Sequence, residues 1–232
     1  MTDDSKRAVV LVSGGMDSAT AAVEAQQRDY ELCLLHTSYG QQTESKELEC
    51  ATRLADHLDA TDFLHVETGH LARIGASSLT DDSIEIKEAD LDSDEIPSSY
   101  VPFRNSNLLS MAVSYAEASN CDAIFIGAHS EDYSGYPDCR PEFFDAFQQV
   151  IDTGTKPETD IDLIAPFVDW SKTEIAARGA ELDVPYEITW SCYRDEAPAC
   201  GTCDACAFRL KAFQEIRTED PIDYEERPSY VD

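Results

Sequence analysis

Val9-Val10-Leu11-Val12-Ser13-Gly14-Gly15-Met16-Asp17-Ser18 is the stretch that decides the fold of this chain. Its aliphatic start suits a strand buried on both faces, and it runs directly into Ser-Gly-Gly and a segment of helical character. Two adjacent glycines permit a turn too tight for side chains. Such a turn aims backbone N–H groups and a helix N-terminus at one point, as a phosphate chain requires. Asp17 falls in the first helical turn, where a carboxylate can hold the Mg²⁺ that accompanies ATP. Ser13 and Ser18 add hydroxyl groups. The ATP contacts expected here are Val12, Ser13, Gly14, Gly15, Met16, Asp17, Ser18 and Ala19. A Walker loop would carry a Lys after its last glycine, and a dinucleotide fingerprint a third glycine; neither is present. The competing reading is a strand-to-helix turn without a ligand.

Outward from this stretch, strands and helices alternate. Ala19 to Arg28 reads as a helix and Leu32 to His36 as a second strand. Thr43 to Leu58 carries Leu48, Ala51, Leu54, Ala55 and Leu58 at helical spacing, and Asp62 to Val66 is a third strand. Right-handed crossovers then give an α/β fold with a doubly wound, mostly parallel sheet. Ligands bind beyond the carboxyl ends of such strands. Tyr39 and Gln41, in the loop after the second strand, are therefore expected to share a nucleotide with the glycine turn. Further on, Asn105–Ala118, Glu142–Ile151 and Lys172–Leu182 read as helices, and Ala123–Gly127 and Asp162–Pro166 as strands. Ser77 to Ser99 breaks the pattern with eight acidic residues and a single Lys. It reads as a solvated surface loop, with a lid over substrate as the alternative. Residues 1–189 form the expected main domain. Residues 190–232 read as a cysteine-rich appendage closed by a helix over Cys206–Arg217.

The chain carries 47 acidic residues against 17 basic ones, a net charge of −30, and only six of the 17 are Lys. Self-repulsion of that size destabilises a compact chain in dilute buffer. In about 1 M salt the Debye length is only ~3 Å and the repulsion largely vanishes. The composition therefore points to a salt-rich cytoplasm. It argues against a broad nucleic-acid surface, which needs clustered Lys and Arg. The apolar run near the N-terminus is too short for a signal peptide or a membrane span, so a cytoplasmic location and no membrane partner are expected. In that compartment eight cysteines are not a disulfide framework.

Cys192, Cys200, Cys203 and Cys206 form a C-x7-C-x2-C-x2-C array. Four thiolates with two x2 knuckles suit a closed, structural Zn²⁺ site, one ion per chain. An iron–sulfur cluster is the alternative. Cys33, Cys50 and Cys121 read as small core residues. Tyr133 to Arg140 is dense in ligand-recognising groups: rings that stack on heterocycles, Asp138 for an amidine-like edge such as that of guanine, and Arg140 for a carboxylate or phosphate, with a plain turn as the competing reading. Arg104 stands at a helix start, where a cation opposes the helix dipole, and so is expected to face a ligand. By the same argument Lys172 is expected to reach phosphate, with a solvated Lys as the competing reading. The five His show no paired metal spacing, and the role of His129 stays open.

SGGMDS at 13–18, VPFRN at 101–105, SGYPDCR at 134–140 and CGTCDAC at 200–206 occur in this order. The first resembles the PP-loop of the N-type ATP pyrophosphatases. Together they resemble the 7-cyano-7-deazaguanine synthase family over about residues 8–217. The resemblance implies an adenine nucleotide alpha hydrolase-like fold and ATP-dependent conversion of 7-carboxy-7-deazaguanine and ammonia to a nitrile for queuosine or archaeosine. It also implies catalytic roles for Asp17, Lys172 and Arg104, and substrate contacts from Arg104, Asn105, Tyr136, Asp138 and Arg140. Small-molecule substrates, no nucleic-acid partner and a homodimer are expected. Two rivals remain: a PP-loop tRNA-modifying thiolase, against which the charge speaks, and a zinc-ribbon interaction module, which leaves Asp17, Arg104 and SGYPDCR unexplained.

Overall fold

A computed structural model describes residues 5–81, 83–89, 91, 96–129 and 136–231. Five strands form one all-parallel sheet in the order β3-β2-β1-β4-β5. They are β1 (Lys6–Leu11), β2 (Tyr30–Ser38), β3 (Asp62–Glu67), β4 (Ala123–Phe125) and β5 (Asp162–Ile164). The helices are α1 (Met16–Gln27), α2 (Glu44–His57), α3 (His70–Ile74), α4 (Arg104–Ser119), α5 (Pro141–Gly154), α6 (Lys172–Glu181) and α7 (Asp204–Glu215). The order in which strands are added reverses between β1 and β4, to one side for β2 and β3 and to the other for β4 and β5, which opens a crevice at their carboxyl ends.

Alternation along the central strands explains the two layers of helices. Ala8 and Val10 of β1, Leu32 and Leu34 of β2, and Phe125 of β4 face a core shared with α1, α2, α6 and α7. Val9, Leu11, Cys33, Leu35 and Ile124 face the opposite core, covered by α4 and α5 through Leu109, Ala112, Ala116, Phe144 and Ile151. Both faces are dry, so these strands read as continuous apolar runs. Strands β4 and β5 end two residues before the expected bounds, and α3 had no expectation in the sequence. Helix α1 begins three residues earlier than expected because Gly15 already serves as its N-cap.

The C-terminal segment is built into the main core. Ala212 and Phe213 of α7 belong to the same cluster as α1 and β1. Arg209, fully buried, forms a two-pronged ion pair with Asp220 at 2.7 and 2.9 Å and also donates to Thr189 Oγ1 and the Tyr186 carbonyl. The expected seam at 189/190 is therefore crossed by buried packing and hydrogen bonds. The acidic stretch also differs from a freely solvated loop in its described part. Ser77 and Ser78 are buried and bonded to the backbone of 98–99, and the Ala89 N–H donates to the Thr202 carbonyl. Residues 82, 90 and 92–95 of that stretch lie outside the described residues.

Candidate active site and metal centre

The crevice beyond β1 and β4 is a cleft where the glycine turn, the loop after β2, the starts of α4 and α6, and the 190–193 segment meet. At its base, Gly14 adopts a φ of +85°, and a Cβ there would lie 2.5 Å from the Glu47 carbonyl oxygen. Only glycine fits that approach. The turn is tied by Ser18: its hydroxyl accepts from the Ser13 N–H at 3.1 Å and donates to the Gly15 carbonyl at 3.0 Å. No side chain caps α1, so the N–H groups of its first turn point at the cleft with their share of the helix dipole. Ser13, Gly15, Asp17, Ser18 and Val12 line the cleft, whereas Met16 and Ala19 are buried in the core beneath it. Those two support the turn from below.

Asp17 is paired with Lys172 at 2.8 Å, across 155 positions of sequence, and His129 Nε2 lies 3.7 Å from the same oxygen. Lys172 owes its place to a capping box, in which Ser171 accepts from the Glu174 N–H and Glu174 accepts from the Ser171 N–H. Burial pushes the Asp17 carboxyl up, but the charges of Lys172 and His129 and the Lys172 hydrogen bond outweigh it and hold it below its ordinary value. Its second oxygen, Oδ1, is buried and has no hydrogen-bond partner among the described residues. A carboxylate oxygen left in that state suits a divalent cation. Gly127, where β4 leaves the sheet, brings the chain directly against the start of α1.

Arg104 opens α4 from an N-cap residue, Phe103, in the left-handed region. Its guanidinium donates to the Tyr39 hydroxyl at 3.0 Å and lies 5.8 and 6.0 Å from the ring centres of Tyr39 and Tyr136. Burial works against its charge, but the tyrosines more than compensate and its pKa is raised. Asn105 lines the cleft and turns its amide to the Asp138 carbonyl and to Cys139 Sγ. The sequence expectation and the structure part at two residues. Asp138 is buried outside the cleft lining, where its carboxylate accepts the Asn105 N–H at 2.8 Å and caps α4. Arg140 is exposed at the N-cap of α5, also outside the lining. Residues 130–135, which include the first part of the Ser134–Arg140 motif, lie outside the described residues. Gln41 lines the cleft but is internally bonded, accepting from the Tyr39 N–H and donating to Glu47.

Cys192, Cys200, Cys203 and Cys206 are all buried, and their sulfurs lie within 4.8 Å of one another. Backbone N–H groups of Arg194, Asp195, Cys200, Thr202 and Cys203 point at Cys192 or Cys200 sulfur at 3.3–3.4 Å. This donor set could hold a metal ion with every position protein-filled. It adjoins the cleft. The Trp190 N–H donates to the Gly14 carbonyl at 2.8 Å, Thr43 Oγ1 lies 3.3 Å from the Cys192 carbonyl, and Trp190, Ser191 and Tyr193 form one wall. Sequence reasoning missed that wall, together with Glu47, Gly127 and the Asp17–Lys172–His129 grouping. Ser171-x-x-Glu174 and the glycine after a buried strand were its available signals. Cys33, Cys50 and Cys121 are buried, as expected of core residues. Among the described residues no helix is long and apolar enough to cross a membrane.

Comparison with known proteins agrees with this geometry. The family model described as "Queuosine biosynthesis protein QueC" matches residues 7–217. The protein named 7-cyano-7-deazaguanine synthase in Haloarcula marismortui is 76% identical over the full length of both chains. The protein of the same name in Halobacterium salinarum is 70% identical over 97% of this chain and 99% of its own. In fold, the chain is similar to the NMN synthetase of Francisella tularensis, with a TM-score of 0.50 at 18% identity over 93% of this chain and 79% of that one. The parallel sheet with its glycine turn, the buried four-cysteine centre and these matches together place the chain in the QueC family of queuosine biosynthesis proteins.

Proposed function

We propose that this chain converts 7-carboxy-7-deazaguanine, ammonia and ATP to 7-cyano-7-deazaguanine, as a carbon–nitrogen ligase that adenylates first a carboxylate and then an amide. One observation carries the reading. A single cleft joins an uncapped helix N-terminus behind a glycine turn, the Asp17–Lys172 pair and a guanidinium held between two tyrosines. The name shared by the relatives supplies the substrate class.

A free carboxylate resists ammonia because its leaving group would be oxide. Transfer of AMP to one carboxylate oxygen, with release of pyrophosphate, creates a leaving group of low basicity. Ammonia then displaces AMP to give the amide. A second adenylation, on the amide oxygen, followed by loss of AMP and protons, leaves the nitrile. One nucleotide is used per oxygen removed. The first-turn N–H groups of α1 bind the phosphates, and Lys172 offsets charge that builds on the leaving pyrophosphate. Asp17, with its unpartnered Oδ1, is the residue that would hold Mg²⁺, and the ion would supply Lewis-acid stabilisation of phosphate charge. Arg104 meets the substrate carboxylate or the α-phosphate, and Tyr39 and Tyr136 stack on flat rings. Catalysis is mostly positioning and electrostatics.

The four-cysteine centre is read as zinc. Tetrahedral Zn–S bonds of about 2.3 Å separate sulfurs by about 3.8 Å, and Cys200 and Cys206 stand 3.9 Å apart. A multi-iron cluster would spread the four sulfurs over separate irons and so farther apart. The centre is structural and holds the 190–193 wall against the glycine turn. Incubation with ATP, ammonium and 7-carboxy-7-deazaguanine in molar salt tests the activity. Nitrile and AMP are the expected products, and their absence overturns the reading.

A further inference from the structure

Glu47 of α2 lines the cleft but has no role in the chemistry described above. Its backbone carbonyl packs beneath Gly14, which fixes the residue at the edge of the phosphate turn. Each carboxylate oxygen accepts one bond from a neutral group: Oε2 from Gln41 Nε2 and Oε1 from Thr43 Oγ1, both at 2.9 Å. Thr43 also reaches the Cys192 carbonyl at 3.3 Å and Gln41 the Tyr39 N–H, so both donors are locked in place. Glu47 is half-buried at the cleft wall, and no ion pair to it occurs among the described residues, so its direct partners there are these two neutral donors. A carboxylate offers about four acceptor positions, and two of them are in use here.

We propose that Glu47 is the nitrogen-substrate residue: ammonium docks on its unused acceptor positions, yields one proton to it and proceeds as ammonia to the adenylated carboxyl group. This rests on the function proposed above and adds to it the origin of the nucleophile. Ammonium brings four N–H donors and one positive charge, which is the complement Glu47 lacks. The step balances. Ammonium and the Glu47 carboxylate give ammonia and the neutral acid. Ammonia forms the C–N bond as the C–O bond to AMP breaks, and the second proton leaves on the AMP phosphate. Burial pushes the Glu47 carboxyl up, Glu44 on the same helix adds to the rise, and the Gln41 and Thr43 hydrogen bonds with the Arg104 charge offset it only in part. The Glu47 charge in turn helps to raise the buried Tyr39 phenol, whose N–H is bonded to the same Gln41. A carboxylate so raised is a stronger base than an exposed one.

The test compares wild type with Glu47→Gln, which keeps the shape and one acceptor oxygen. Two rates are measured in molar salt: pyrophosphate release with ATP and 7-carboxy-7-deazaguanine before ammonium is added, and amide plus nitrile formation against ammonium chloride at constant ionic strength. We expect the half-saturating ammonium concentration to rise at least tenfold while pyrophosphate release stays within about twofold. An unchanged ammonium dependence overturns the proposal. So does loss of pyrophosphate release in a variant that melts like wild type, since Glu47 would then serve nucleotide binding. Glu47→Asp, with its carboxylate withdrawn by one methylene, carries the same comparison if the Gln variant does not fold. Failure of wild type to release pyrophosphate would instead refute the parent reading.

Discussion

Gly127 offers a direct test of the idea that this cleft works by positioning. A Cβ added there would stand 2.8 Å from the Asp17 carbonyl carbon and oxygen and 2.9 Å from the Ser18 nitrogen, where ordinary contact begins at 3.4 Å. Gly127→Ala therefore has to separate β4 from the first turn of α1 by about 0.6 Å, and both neighbours are backbone. Overpacking of this kind costs about 1–3 kcal/mol. At ~2–4 °C per kcal/mol for a chain of this size, melting should fall by about 2–12 °C. The functional loss should exceed what the stability loss explains. Misplacement by 1 Å is worth about 10²-fold in rate, so ~0.6 Å at the turn that carries Asp17 should lower turnover by on the order of tenfold. Nitrile formation at saturating substrates, measured well below the melting range, reads this out. Gly154→Ala is the control: nothing lies within 4 Å of a Cβ there, and melting should hold or rise slightly. Wild-type turnover in Gly127→Ala would refute the claim that the α1 start is held in register by this contact.

Three further outcomes are expected. Cys203→Ser should strip the bound metal and lower the melting temperature by on the order of 10 °C, because the centre anchors the 190–193 wall; an unchanged melt with the metal gone would show that the ion does not hold the fold. Asp220→Ala strands the fully buried Arg209 and should cost about 3–5 kcal/mol in denaturant unfolding, whereas a loss under 1 kcal/mol would mean that the pair contributes little. His36 is buried against the Val12 carbonyl with its pKa lowered by burial to about 4, and the charge of His65 adds to the depression. The unfolded chain therefore binds the proton first, so stability is whole above about pH 6.5 and falls by about 3 kcal/mol as the pH drops to about 4. His36→Gln should flatten that slope, and an undiminished slope would assign it to other groups.

The glycine turn, the alternating strands and helices and the cysteine knuckles were legible because each is set by neighbours in the chain. Apolar periodicity reports burial of a whole face, and an x2 spacing places two sulfurs on one ion whatever surrounds them. The sequence says less where a polar side chain has two chemically sensible partners. Asp138 looked like a ligand for a guanine edge, but the start of α4 lies beside it and the carboxylate caps that helix. Gln41 looked like a nucleotide contact but is spent on Tyr39 and Glu47. The 190–232 segment carries the cysteine cluster, and its helix α7 also contributes Ala212 and Phe213 to the main core, which the cysteine spacing does not reveal.

The sequence by itself determined the parallel sheet, the glycine turn with Asp17 in the first turn of the helix that follows, and the four cysteines that the fold gathers into one buried cluster. Only the tertiary structure decided what Asp17 meets (Lys172 and His129, from two other elements), that Arg209 is buried on Asp220, and that Glu47 faces the cleft. The reason is physical. Apolar residues are interchangeable in a core, so their pattern suffices, whereas a buried charge is settled by one particular partner whose place depends on how crossovers stack distant segments side by side.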